Sequence, residues 1–380
     1  KPRQVRRAVR QGIWAIVTVC VPLMVLLWNI APILHLTGQD PALIPLTELY
    51  VQAVLWALMP MAGIIVLRSF VSAFGQARIV LMITLVALPL NALLDYALIF
   101  GNFGLPQLGI AGSGYATSII TVSMFSVLAL VCARGRPFRK YAIWVRFWKP
   151  DWSVYLATFR LGLPIALTLL MEVGLFVAGI YLIGTIDPAQ VAGTQIALQL
   201  ASISFMVPLG IGQAATIRIG LAAGQHAQSH LRSEGMIAAG LGLAFMAAMG
   251  LVFWVGNQSL AALFLDETDV MAITALAYGA LFLQVAAIFQ LFDGLQVIAL
   301  SALRGLNDTR IPMLLAFLAY WLIGFPTAWV LAFAFGLEGL GVWIGLATAL
   351  ATAAVLLSWR FIILTRPTTP AITISANELA

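Results

Sequence analysis

Arg160-Leu-Gly-Leu-Pro164-Ile-Ala-Leu-Thr-Leu-Leu-Met171-Glu172-Val-Gly174-Leu-Phe-Val-Ala-Gly-Ile-Tyr-Leu-Ile-Gly184 decides the fold. Beyond Arg160 the run is apolar in every direction, with one carboxylate, Glu172, at its centre. A soluble helix keeps a polar face for water. This segment has none, yet it is long enough at ~1.5 Å per residue to cross a hydrocarbon core of about 30 Å. It is predicted to span a membrane.

Nine further stretches read the same way: 11–33, 46–67, 79–101, 109–133, 189–217, 234–256, 270–303, 311–335 and 339–359. The whole chain of 380 residues agrees, with 62% hydrophobic and 9% charged residues and a mean hydropathy of +1.02. Soluble domains carry about 25% charged residues. The expected fold class is therefore an all-α integral membrane protein with ten membrane helices. Cys20 and Cys132 lie within apolar segments and imply no disulfide framework.

The net charge of +6 is a matter of topology and calls for no nucleic acid. Basic residues cluster in 1–10, at Arg68 and Arg78, in 134–149, and at Arg160, Arg218, Arg232, Arg304, Arg310, Arg360 and Arg366. All fall on one predicted face, while the opposite loops carry Asp40, Glu48, Asp187, Asp266, Glu267, Asp269 and Glu338. This bias puts the basic face and both termini of the chain in the cytoplasm. The polar stretch 134–154, with Trp144, Trp148 and Trp152 among basic residues, reads as a cytoplasmic linker with an interfacial aromatic belt.

The chain repeats itself. Leu36-Thr-Gly-Gln-Asp40 then Tyr50, Arg78-Ile79 and Ala116-Thr117 recur, in order and at nearly the same spacing, as Leu265-Asp-Glu-Thr-Asp269 then Tyr278, Arg310-Ile311 and Ala347-Thr348. Each copy has four segments and runs from cytoplasm to cytoplasm, so the copies are parallel and would be related by an axis along the membrane normal, the arrangement from which transporters commonly build a central cavity. The second has two more helices in front of it, and the first begins at Lys1 in what reads as an internal loop. The expectation is ten helices present of twelve, in two pseudo-symmetric six-helix lobes. The N-terminal lobe, 1–133, would lack its first two helices, and the 380-residue chain by itself is not expected to transport. The linker 134–154, the C-terminal lobe 155–366 and a disordered tail 367–380 complete the division.

Acids inside apolar segments are costly and mark ion or proton sites. Asp95, Glu172 and Asp293 are such acids. Glu172 stands about 18 Å above Arg160 and Asp293 about 16 Å above Arg304, at ~1.5 Å per residue. Two carboxylates at one depth bind a bare cation or share a proton; the bland alternative is a hydrogen-bonded pair that holds the bundle together. Asn91 lies one turn from Asp95, making a candidate polar patch in the first lobe, or ordinary outer-leaflet packing. Gln195, Gln199, Ser202, Gln284, Gln290 and Gln296 suit interhelical hydrogen bonds, with Gln284 and Gln290 the first candidates to line a substrate cavity. Phe289 and Met206 are candidates for its apolar wall, with lipid or core contact as the default. His226 and His230 have metal spacing without a third ligand, and His35 reads as interfacial.

Four motifs carry a resemblance. They are Leu161-Gly-Leu-Pro-Ile-Ala with Met171-Glu172-Val-Gly174; Gln195-Ile-Ala-Leu through Phe205-Met-Val-Pro-Leu-Gly-Ile-Gly-Gln213-Ala-Ala-Thr; Gln290-Leu-Phe-Asp293-Gly-Leu-Gln296; and Leu303-Arg-Gly-Leu-Asn-Asp-Thr-Arg310-Ile-Pro312. With these the chain resembles the MATE (multidrug and toxic compound extrusion) family, NorM-type bacterial branch, to about residue 365. The resemblance implies a monomeric, multi-pass transporter of the bacterial inner membrane. It would export organic cations against Na⁺ or H⁺ by alternating access, without a cofactor. Within that pattern Glu172 and Asp293 match the acids that carry the coupling ion. A lipid or lipid-oligosaccharide flippase of a related superfamily is the alternative, disfavoured because no basic residue reads as lying inside a span. An intramembrane enzyme finds no catalytic motif in its support.

Overall fold

A chain surrounded by hydrocarbon must satisfy every backbone N–H and C=O within itself, and the helix does this locally. In the computed structural model, which describes residues 2–36, 38, 40–145, 147–149, 151–225, 228–264 and 270–366, ten helices are long and apolar enough to cross a membrane. They are α1 Arg3–Trp28, α2 Ile44–Ala73, α3 Ala77–Phe100, α4 Ile110–Arg134, α5 Trp152–Gly184, α6 Pro188–Gly224, α7 His230–Ala262, α8 Ile273–Gly305, α9 Arg310–Ala334 and α10 Glu338–Leu364. Each apolar stretch read from the sequence has its helix. The tail 367–380, His226 and the acids of 265–269 lie outside the described residues.

Several helices outrun their apolar stretches, whereas α1 stops at Trp28, before the end at residue 33 read from the sequence. α5 begins at Trp152, eight residues before the start read from hydropathy, because the helical ladder continues into water once a polar face suffices. Local chemistry sets other ends. Asp187 caps α6 by accepting from the Ala189 N–H at 3.0 Å, and Pro188 follows as the first helical residue.

The chain divides into two compact units, one ending at Phe159 and the other beginning at Arg160, within α5. In the first unit α4 packs on α2 and α3. Ser118 donates to the Ala53 carbonyl at 2.7 Å, and Gly114 lies so close to α2 that a Cβ there would sit 2.7 Å from the Ala53 Cβ. The segment expected to be a linker is folded into this unit. Phe138 and Ile143 are buried with Leu67, Phe70, Val71, Leu128 and Cys132, and Tyr141 stacks near Phe74. Its aromatic residues have partners inside the unit: Trp14 stacks on Phe147 and donates to that residue's carbonyl at 3.1 Å. Arg7 pairs with Asp151.

Arg7 hydrogen-bonds the Asp151 carboxyl and so holds it below the usual carboxylate range. A depressed carboxyl stabilises the fold above its unfolded value and ceases to do so as pH falls through its folded value. Asp151→Asn is therefore expected to lower the unfolding temperature near neutral pH, by the equivalent of up to about 1 kcal/mol. The difference should fade below about pH 4. Thermal unfolding in detergent across that range measures it, and a difference that persists in acid would show that the pair contributes nothing.

In the second unit α8 is the central helix, in close approach to α6, α7 and α10. Small residues let the backbones meet where apolar attraction between helices is weak. A Cβ on Gly193 would lie 2.8 Å from the Gly279 nitrogen, one on Gly212 2.6 Å from the Ser301 hydroxyl, and one on Gly305 2.8 Å from the Thr216 carbonyl. α9 is joined to α10 in the same manner, Gly324 against Ala349, Ala328 against Gly345 and Ala332 against Gly341. Two stretches of α9, Leu318–Gly324 and Val330–Ala334, are π-helical, on either side of Pro326.

α5 is held differently. Among the described residues, no helix approaches its backbone as closely as those pairs approach each other. Its bonds to the unit run through side chains, and they converge around Glu172.

Candidate ion-coupling site

Three helices build the site. α8 carries Asp293 and Gln296 at i, i+3, one face apart by less than a turn. α5 brings Glu172, and the π-helical stretch of α9 brings Tyr320 and Trp321. Gln296 stands at the centre, fully buried. Its amide nitrogen donates to Glu172 Oε1 at 2.8 Å, and its amide oxygen accepts from the Tyr320 hydroxyl at 3.0 Å. Asp293, 7% exposed, lies within reach of the same amide and in the field of Glu172. The Trp321 indole donates to the Met171 carbonyl at 3.2 Å, beside Glu172. Gly174 makes room for that ring, since a Cβ there would lie 3.2 Å from it.

The donors run in one direction, from Tyr320 through Gln296 to Glu172, and such chains polarise each other in a low dielectric. The chain ends on a carboxylate that still has lone pairs to offer. With Asp293 beside it, the arrangement presents oxygen ligands and concentrated negative charge. Those features suit a hard cation or a proton.

The other expected site residues are placed elsewhere. Gln290 is buried, and both halves of its amide are spent on helix packing: Ser204 donates to its oxygen at 3.0 Å, and it donates to the Met246 carbonyl at 3.3 Å. It presents nothing to a cavity, because it ties α6 and α7 to α8. Phe289 is a core residue, packed on Trp343 with ring centroids 5.5 Å apart. Met206 is 61% exposed and touches neither acid by any recorded contact. Gln284 lines a separate groove of about 510 Å³ with Trp254, Ile288, Phe292 and Thr348. In the first unit Asn91 donates to Asp95 at 3.1 Å, and the second Asp95 oxygen is buried with no partner among the described residues.

Two features escaped the sequence reading. Tyr320 and Trp321 carry no intramembrane charge to mark them, although Pro326 in mid-span signals a disturbed helix. Arg304, expected in a cytoplasmic loop, remains in the last turn of α8 with Nε and Nη2 of its guanidinium buried, in the field of Glu172 and Tyr320. Residue spacing alone gives an arginine's Cα height and leaves out the reach of its side chain.

A model for the MatE family matches residues 1–97 and 164–330. A probable multidrug resistance protein NorM of Mesorhizobium japonicum is 44% identical over 360 residues, 95% of this chain and 77% of that protein. One of the same name from Brucella suis is 41% identical over 359 residues, 94% and 76% of the two chains. Among solved structures, a eukaryotic MATE transporter, AtDTX14, superposes with a TM-score of 0.84 at 25% identity, over 96% of this chain and 79% of that one. The Vibrio cholerae MATE transporter VcmN in its bent form shares the fold, with a TM-score of 0.79 at 20% identity over 96% and 83%.

Proposed function

This chain belongs to the MATE family of multidrug efflux transporters, and from that premise we propose that it is a secondary exporter that expels organic cations by antiport against Na⁺ or H⁺. The observation that carries the coupling is the hydrogen-bonded chain Tyr320–Gln296–Glu172 with Asp293 beside it, inside the bundle. Glu172 and Asp293 hold the coupling ion. Gln296 and Tyr320 orient Glu172, and Trp321 fixes α5 at that level.

In this reading the chain is a multi-pass inner-membrane monomer with its basic face and termini in the cytoplasm, and its two units are halves of a pseudo-symmetric transporter. A cation bound at the acid pair and a cationic substrate compete for the same negative charge, each favouring a different conformation. Asp95 with Asn91 adds a polar patch in the first half, and the groove at Gln284 is a candidate contact for apolar substrate.

The experiment is efflux of a fluorescent organic cation from vesicles bearing the protein expressed from its whole reading frame, under separately imposed Na⁺ and pH gradients. Efflux driven by one of them is expected. Efflux indifferent to both would overturn the antiport reading, and lipid translocation in its place would favour a flippase.

A further inference from the structure

Arg304 ends α8, where an arginine ordinarily turns outward to water or to the last carbonyls of its helix. It does neither with all of its nitrogens. Nε and Nη2 are both buried, and neither has a hydrogen-bond partner among the described residues. Two other arginines of this unit are matched: Arg218 donates to Glu234 at 2.6 Å, and Arg360 to Asp308 at 2.9 Å. A buried guanidinium without a countercharge is costly.

Helix geometry gives the direction in which its side chain leans. Arg304 is eleven residues below Asp293, which at about 100° per residue is three turns and a small remainder, so the two share a face of α8. Side chains on a helix lean toward its N-terminus, which for α8 is the direction of the acids. A stem that follows this lean brings the guanidinium toward the bundle, in keeping with the burial of Nε and Nη2. The ionisable groups in its field are Glu172 of α5 and Tyr320 of α9. α6, α7 and α10 bring Arg218, Glu234 and Arg360, which are already engaged.

We propose that Arg304 is the internal countercharge of Glu172, stabilising the acid's negative charge whenever the coupling cation is absent and so weakening that cation's hold. The inference rests on the coupling reading above and adds a release device to it. A site made of two carboxylates alone would bind its cation and keep it. A fixed positive charge below makes the empty state tolerable, and turnover requires that state.

The test is the dependence of efflux on the concentration of the driving cation, Na⁺ or H⁺, in proteoliposomes. Arg304→Gln is expected to lower the half-saturating cation concentration about tenfold while turnover falls, because the ion binds more tightly and leaves more slowly. Arg304→Lys should restore most of both, since it keeps the charge. Unchanged half-saturation with only turnover lost, or a higher half-saturating concentration, would overturn the proposal and leave Arg304 a packing residue. If wild-type efflux responds to neither gradient, the coupling reading fails first, which is a distinguishable result. Should Arg304→Gln accumulate poorly, the double variant Glu172→Gln/Arg304→Gln provides the second measurement. Its loss of thermal stability should be smaller than the sum of the two single losses, whereas additive losses would sink the pairing.

Discussion

Asp293→Asn is expected to reduce ion-driven efflux to the level of membranes without the protein, while the protein still reaches the membrane in normal amount. Asparagine keeps the shape of aspartate and its capacity to bond Gln296, so the change isolates charge. Asp293 is almost wholly buried and shares both the field of Glu172 and the reach of Gln296. Glu172→Gln should be nearly as severe, because it replaces the acceptor at the end of the Tyr320–Gln296 chain with an amide. Groups that act as a unit are strongly non-additive. The double variant should therefore be no worse than either single one. Wild-type efflux from Asp293→Asn would end the coupling role, and defects that multiply independently would end the shared site.

Gly345→Ala is expected to be the most damaging small change in the fold. The added Cβ would sit 2.5 Å from the Ala328 backbone nitrogen, with the Ala328 α-carbon closer still. Backbone cannot step aside as a side chain can, so α9 and α10 must separate. Overpacking costs about 1–3 kcal/mol, and the upper end of that range is expected where backbone is the obstacle. The loss would reach the site, since α9 carries Tyr320 and Trp321. Thermal unfolding in detergent should show a large drop for Gly345→Ala and almost none for Gly210→Ala, whose added Cβ would have nothing within 4 Å. Equal stability of the two variants would refute the account of the α9–α10 contact.

Much of this was legible in the sequence, for identifiable reasons. Ten spans could be read because a bilayer imposes one length and one polarity on each. Glu172 and Asp293 stood out because a carboxylate there is expensive enough to need a purpose. What stayed hidden depends on rotation and side-chain reach. Gln296 was one amide among several, and only the structure singles it out as the bridge. Gln290, three residues before Asp293, is a first candidate for cavity lining by sequence, yet it faces α6 and α7, while Phe289, four residues before Asp293, makes the core contact that is its default reading, against Trp343. Phe138 and Ile143 lay in a basic, polar stretch whose charges masked the two side chains that anchor it.

The π-helical stretches of α9 can be viewed as timekeeping. A stripe of small residues spaced by four, Gly324, Ala328 and Ala332, would not stay on one side of an ordinary helix. At 3.6 residues per turn each step of four overshoots a full circle by about 40°. A π turn, with its hydrogen bonds one residue longer, undershoots. Alternating the two, as α9 does from Leu318 to Ala334, makes a clock that gains and then loses, so its hand keeps returning to α10. A straight seam of contact thereby coexists with a neighbouring pair, Tyr320 and Trp321, that addresses two other helices. A helical wheel drawn through α9 at constant period would put part of one of these partners on the wrong side.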